Sequence, residues 1–136
     1  MTLHRDSFGF RKLEVYHKAN EFFRSAYVLG KRLKRHDGFI RSQFLRAALS
    51  IKLNIAEGSE ETLPKEKARL YRIARRSAGE CSALLDDIEF TLNLPVLDLE
   101  PYYEELQIII AMLVGLDRAM AARAAALKSR KRRKSE

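Results

Sequence analysis

The chain has a single cysteine, Cys81, among its 136 residues, so no internal disulfide framework holds it and the composition fits a reducing compartment. A cytoplasmic location is the expectation. Apolar runs are short: the longest, "IIIAMLVGL" at residues 108–116, is nine residues, where a membrane-spanning helix needs about 20. The opening "MTLHRDSFGF" has no apolar stretch of signal-peptide length, so an unexported protein without a membrane partner is expected. Three prolines and six glycines leave few breaks, and the alternation of β-branched residues that marks strands is missing. Gly-rich phosphate loops and nucleophile elbows are absent as well. His4, His17 and His36 lie far apart without ligand partners at helical spacing, which argues against a metal site. Neither enzymatic activity nor a cofactor is expected.

What is present is helix and positive charge. A chain of this length forms one domain and buries roughly two thirds of its unfolded surface. The formal net charge is +8, unevenly placed. Residues 128–136, "KSRKRRKSE", hold six Lys/Arg and one Glu, a net +5, which leaves +3 for residues 1–127. A compact block of like charge repels itself and usually stays disordered. The expected organisation is a helical domain over residues 1–127 and a disordered basic tail over residues 128–136.

Breaks at "RHDGF" (35–39), "EGSEETLP" (57–64) and "LNLPVLDLEP" (92–101) divide the domain into four helices. Along the first, residues 11–35, Val15, Ala19, Phe22, Ala26, Leu29 and Leu33 keep one apolar stripe. The third opens near Pro64, tolerated in a first turn, and carries Tyr71, Ala74, Ala78, Cys81, Leu85, Ile88 and Leu92 at heptad spacing. Cys81 thus reads as a core residue. The fourth, residues 100–127, repeats the spacing with Tyr102, Leu106, Ile109, Leu113, Leu116 and Met120. Sustained steps of 3.5 residues and short loops point to an all-α, antiparallel up-down-up-down four-helix bundle.

The second helix, residues 39–57, has two apolar stripes. Ile40, Phe44, Ala48, Ile51 and Ile55 make one; Leu45, Leu49, Leu53 and Ala56 make another; Arg46, Ser50 and Asn54 form the thin polar line that remains. A helix apolar around most of its circumference is buried on more than one side, and a single small bundle offers one core. The second partner is expected to be another subunit, with the patch repeated on every protomer of a symmetric homo-oligomer. Phe44, Leu45, Ile51, Leu53 and Ile55 are the expected interface.

"SQFLRAALSIKLNIAEG" (42–58), with "FRKLEVYHKANEF" (10–22) upstream, resembles the bacterial four-helix bundle family first noted as open reading frames in intervening sequences of large-subunit rRNA genes. That family also includes relatives of the accessory variability determinant of diversity-generating retroelements. The resemblance extends over residues 8–120 and is most specific at "NIAEG" (54–58). It implies a homopentameric, ring-shaped barrel of four-helix bundles with a central pore and no known catalytic activity. It also implies binding of nucleic acid and of a reverse transcriptase. Family members usually carry Pro after the Ser-Ile pair and then a small residue; Lys52 and Leu53 stand there instead, which makes this helix more regular.

Within the motif, Gly58 is expected to end the second helix in a left-handed C′ position. Asn54 and Glu57 are expected to form an internal hydrogen-bonded pair. The third helix crowds Lys65, Lys67, Arg69, Arg72, Arg75 and Arg76 into its first half and Glu80, Asp86, Asp87 and Glu89 into its second, against the helix dipole. The arginines form either a phosphate-binding stripe or a solvated face paired with Glu57, Glu60 and Glu61. Lys31, Arg32, Lys34 and Arg35 suit the end of the first helix, and Arg46 is a candidate pore residue. The tail cations Lys128, Arg130, Lys131, Arg132, Arg133 and Lys134 carry the strongest nucleic-acid signal, because clustered Lys/Arg gain affinity by releasing counterions from phosphates. Such contacts to RNA or DNA carry little sequence specificity. The reading is a non-enzymatic oligomeric scaffold for nucleic acid, with a reverse transcriptase as a candidate partner; the alternatives are a protein-interaction scaffold without nucleic acid and an rRNA-associated protein.

Overall fold

Four helices separate at the expected breaks: α1, Glu14–Gly30; α2, Gly38–Glu60; α3, Pro64–Leu92; and α4, Val96–Ser135. The computed structural model describes residues 4–135; residues 1–3 of the expected domain and Glu136 of the expected tail lie outside them. Among the described residues there is no strand, and no helix is long and apolar enough to cross a membrane. Each helix packs on the next and α1 returns to α4, as in a four-helix bundle. Short 3-10 turns at Arg5–Ser7 and Gly9–Lys12 precede α1; the second packs on α2 and α1, and the first on the second.

The core follows the apolar stripes. Val15, Ala19, Phe22, Ala26, Leu29 and Leu33 are all buried, as are Tyr71 through Ile88 at heptad positions of α3 and Leu106, Ile109, Leu113 and Met120 of α4. Phe22 and Phe44 meet edge to face with ring centroids 6.2 Å apart, a geometry favoured by the aromatic quadrupole. α3 ends on Asn93, whose φ of 51° is left-handed. There Leu94 N–H donates to Glu89 O and Asn93 N–H to Phe90 O, a Schellman closure that fixes the α3–α4 turn.

Helix ends differ from the sequence reading in four places, one of them the end of α2, which runs past Gly58 to Glu60. α1 stops at Gly30, so Lys31, Arg32, Lys34 and Arg35 lie beyond it. The last carbonyl of α1 is met instead by Arg41, the fourth residue of α2, whose Nε donates to Gly30 O over 2.8 Å and whose guanidinium also donates to Leu33 O in the following turn. α4 starts early, at Val96, and takes Pro101 inside; this proline is exposed, where water can take up the carbonyl it leaves free. Finally, the tail expected to be disordered is helical to Ser135. No Gly or Pro follows Gly115, and residues 119–128 are almost all strong helix formers. Cations at a helix C-terminus also suit its dipole.

α2 separates its two stripes. Ile40, Phe44, Ala48, Ile51 and Ile55 are buried within the bundle, whereas Leu49 and Leu53 remain 38% and 46% exposed and Leu45 and Ala56 half-buried. Phe44, Ile51 and Ile55 are therefore core residues of one protomer, not residues of a subunit joint. An acidic substitution at Ile51 or Ile55 would break the fold before any assembly. Leu53 stays on the outer side, and Leu45 packs partly against the core.

Candidate nucleic-acid interface

Arg69, Arg72 and Arg76 emerge along the solvent side of α3, opposite the stripe that holds Ala74, Ala78 and Cys81 in the core. Arg69 Nε donates to Glu66 Oε2, one turn back, over 3.1 Å, and Arg72 reaches across to Asp117 Oδ1 of α4 at 2.9 Å. Arg75 and Arg76 have no ion pair among the described residues. Neither do Glu57, Glu60 and Glu61, the acids that would pair with the arginines if this were a solvated face. An exposed pair such as Arg69–Glu66 contributes at most about 1 kcal/mol, so a phosphate competes with it readily.

Two groups of cations that are far apart in sequence meet here. Beside Arg72, Lys65 and Ala68 of α3 face Met120, Ala121, Ala124, Ala125 and Lys128 of α4 across a shallow groove of about 400 Å³. Alanines at the spacing of the α4 core stripe make its floor, because Ala124 follows Met120 where a larger side chain would fill the gap. Lys65 and Lys128 line it with positive charge, and Arg72 lines it with a guanidinium held on Asp117. From Lys128 the helix carries Arg130, Lys131, Arg132, Arg133 and Lys134, all exposed, past the last core residue, Met120. Arg72 of the α3 arginines and Lys128 of the C-terminal cations, read separately from sequence, thus adjoin. Arg75 is half-buried and lies to one side. The partnership of Lys65 with the small residues of α4 was missed, although the run of alanines after Met120 is its signal.

Lys67, also in the basic half of α3, does something else. Its Nζ donates to Gly58 O at 3.1 Å and Ser59 O at 2.9 Å, closing the end of α2. Lys67 is the fourth residue of α3, as Arg41 is of α2. Both cations are spent on backbone carbonyls and are removed from any phosphate surface.

The motif residues are structural, though not in the way expected. Gly58 does not end its helix: α2 continues to Glu60, and no glycine among the described residues has positive φ. A Cβ at Gly58 would lie 2.6 Å from Tyr71 Cε1, so glycine is there because the α3 ring packs on bare backbone. Asn54 Nδ2 donates to Ser50 O at 2.9 Å and Ser50 Oγ at 3.0 Å, and Ser50 Oγ lies 2.8 Å from Ser77 Oγ. This polar seam joins α2 to α3 and satisfies the buried Ser77. Glu57 takes no part and is exposed. Lys52 donates to Asn20 Oδ1 of α1 at 2.8 Å and lies over the Phe23 ring. Burial, with the charges of Arg24 and Arg11, pulls its ammonium below the usual lysine range. α2 is unbroken at Lys52, the regular helix expected from the sequence. Arg46 is exposed on the outer side of α2.

Burial, and secondarily Glu80, pushes the Cys81 thiol up to about 12, so it stays protonated at neutral pH. Among the described residues no group of three or more His, Cys, Asp or Glu side chains is placed to hold a metal ion. The family model described as 23S rRNA-intervening sequence protein matches residues 11–115, from just before α1 to the middle of α4. No curated protein matches the chain.

Proposed function

The chain belongs to the 23S rRNA-intervening sequence protein family, and we propose that it is a non-enzymatic scaffold that binds RNA on the α3–α4 groove and the basic end of α4. One observation carries this reading: Lys65, Arg72 and Lys128 converge on a single groove that runs into an unpacked helix bearing five further cations. Phosphate contacts of this kind release counterions and give affinity with little dependence on sequence. DNA is bound by the same physics, and ribosomal RNA is one RNA that meets the requirement.

The outer stripe of α2 supports assembly. Leu49 and Leu53 stand exposed on α2, flanked by Leu45 and Ala56, which pack partly against the core, and burying the exposed pair against a second copy removes apolar surface from water. The assembly proposed is a closed ring, with the five subunits that the resemblance implies. A ring brings several basic ends to one RNA and converts weak phosphate contacts into avidity. An accessory role beside a reverse transcriptase rests on the resemblance of residues 10–22 and 42–58, and in that role the ring holds RNA while the enzyme copies it.

The test is binding of single-stranded RNA by the full chain across a salt series, against a variant with Gln for the six cations of residues 128–134. The variant is expected to flatten the slope of log K against log salt by roughly 0.7 for each phosphate it no longer neutralises. An unchanged slope would remove the α4 end from the interface, and no binding by either chain at low salt would leave a protein-interaction scaffold.

A further inference from the structure

Phe90 is 85% exposed and Leu97 74% exposed, on either side of the α3–α4 turn and at the opposite end of the hairpin from the RNA groove. Scattered apolar side chains on a surface need no explanation. These two differ because of how they are held and what surrounds them. Phe90 occupies the last turn of α3 and Leu97 the first turn of α4, so the Schellman closure at Asn93 fixes both backbones. Tyr103 O–H donates to Asp86 Oδ1 over 2.6 Å and ties the two helices just below the turn. Apolar anchors presented on rigid backbone lose little freedom on binding.

The setting is acidic. Across residues 84–103, which span the turn, the sequence has no Lys or Arg and five acids, Asp86, Asp87, Glu89, Asp98 and Glu100. Asp87 follows the same solvent stripe of α3 that begins with Lys65, Arg69 and Arg76, so one stripe runs from cationic to anionic and ends on Phe90. Asp98 and Glu100 in α4 suit the positive end of their helix, but Asp86, Asp87 and Glu89 stand at the negative end of α3, where they lower its stability. Asp87 and Glu89 have no ion pair among the described residues. The cations of the neighbouring α1–α2 turn, Lys31 through Arg35, make no ion pair with these acids either.

We propose that the α3–α4 turn is a docking site for a basic protein segment that inserts apolar side chains beside Phe90 and Leu97. The acids repel nucleic acid and anionic lipid, and a neutral apolar partner would leave them desolvated without counter-charge. A cationic segment satisfies both components: its charge meets Asp86, Asp87 and Glu89, and its apolar residues cover the two exposed anchors. The hairpin then has two working ends, RNA at one and a basic protein at the other. This assignment does not rest on RNA binding, and RNA serves as its control.

The experiment titrates the full chain with a labelled Arg- and Lys-rich peptide carrying two leucines, and with the same peptide carrying serine in their place. The leucine peptide is expected to bind about tenfold more tightly, and Phe90→Ser with Leu97→Ser to abolish that advantage. RNA affinity of the double variant should be unchanged. Asp87→Asn with Glu89→Gln relieves the unfavourable dipole placement and keeps the fold, and it should weaken the peptide and flatten its salt dependence. Equal peptide affinity for the parent chain and both variants would overturn the proposal. So would salt-sensitive self-association of the chain alone that Phe90→Ser with Leu97→Ser abolishes, because the site would then receive the basic α4 end of a second copy.

Discussion

The two faces of α2 read almost alike in sequence and end in different places. Ile51 and Ile55 are fully buried in the bundle; Leu49 and Leu53, two residues before each, stand on the surface. Apolar spacing reports how many sides of a helix seek a partner, and the tertiary packing decides which side is satisfied within the chain. The inner face is closed by branched side chains interlocking with α1 and α3, and the outer face is a plain row of leucines. A subunit interface is therefore to be sought on the leucines, with the isoleucines left to the fold.

Perturbing each face separates the two roles. Phe44→Ala, on the inner face, should cost about 3–5 kcal/mol, measured by denaturant unfolding; a destabilisation below about 1 kcal/mol would remove Phe44 from the core. Gly58→Ala, where α2 meets α3, should cost about 1–3 kcal/mol through overpacking against Tyr71, and adding Tyr71→Leu should restore part of it. If alanine is neutral on its own, the close approach is not a constraint.

Glu105 offers a smaller effect with a defined sign. Burial, and secondarily the charge of Glu21, raise its carboxyl above the ordinary range while Lys18 opposes them, and its Oε2 has no hydrogen-bond partner. The folded state thus holds this proton more tightly than the unfolded chain. Its contribution is full below the unfolded carboxylate pKa and is lost as pH rises through the folded value. Glu105→Gln should stabilise the protein at pH 7 by about 0.5 kcal/mol, after allowance for partial exposure, and do nothing near pH 3; thermal melts at both pH values decide. Least of all should Leu49→Ser with Leu53→Ser change the stability of the protomer, within about 0.5 kcal/mol. Sedimentation should nonetheless show the assembly dissociated, and an intact oligomer would move the interface off α2.

The helical class, the number of helices and the core positions were legible because period and breaks are local properties of sequence. Helix ends were less so. The termini of α1 and α2 depend on Arg41 and Lys67, whose charge reads as a surface property until the carbonyls they meet are in place. Gly58 was recognised as structural for the wrong reason, since spacing cannot distinguish a left-handed cap from bare backbone under a ring. The C-terminal cations were found by composition, yet their helical state follows from the alanines before them. That Lys65 and Lys128 share a groove with Arg72 depends on how α3 meets α4, which no local pattern contains. Phe90 and Leu97 fall outside the apolar stripes in sequence, and their exposure beside the turn is seen only in the folded chain.

The paired caps bear on how the chain folds. Arg41 reaches carbonyls eleven and eight residues before it, and Lys67 reaches carbonyls nine and eight residues before it. Each helix end is thus sealed by the opening turn of the next helix, at short sequence separation. Contacts of this kind cost little loop-closure entropy and favour rapid folding. A nascent chain can complete the α1–α2 corner once Arg41 has emerged and the α2–α3 corner once Lys67 has, before the basic end of α4 is synthesised. The surface proposed to bind RNA then forms against a bundle whose first two corners are already closed.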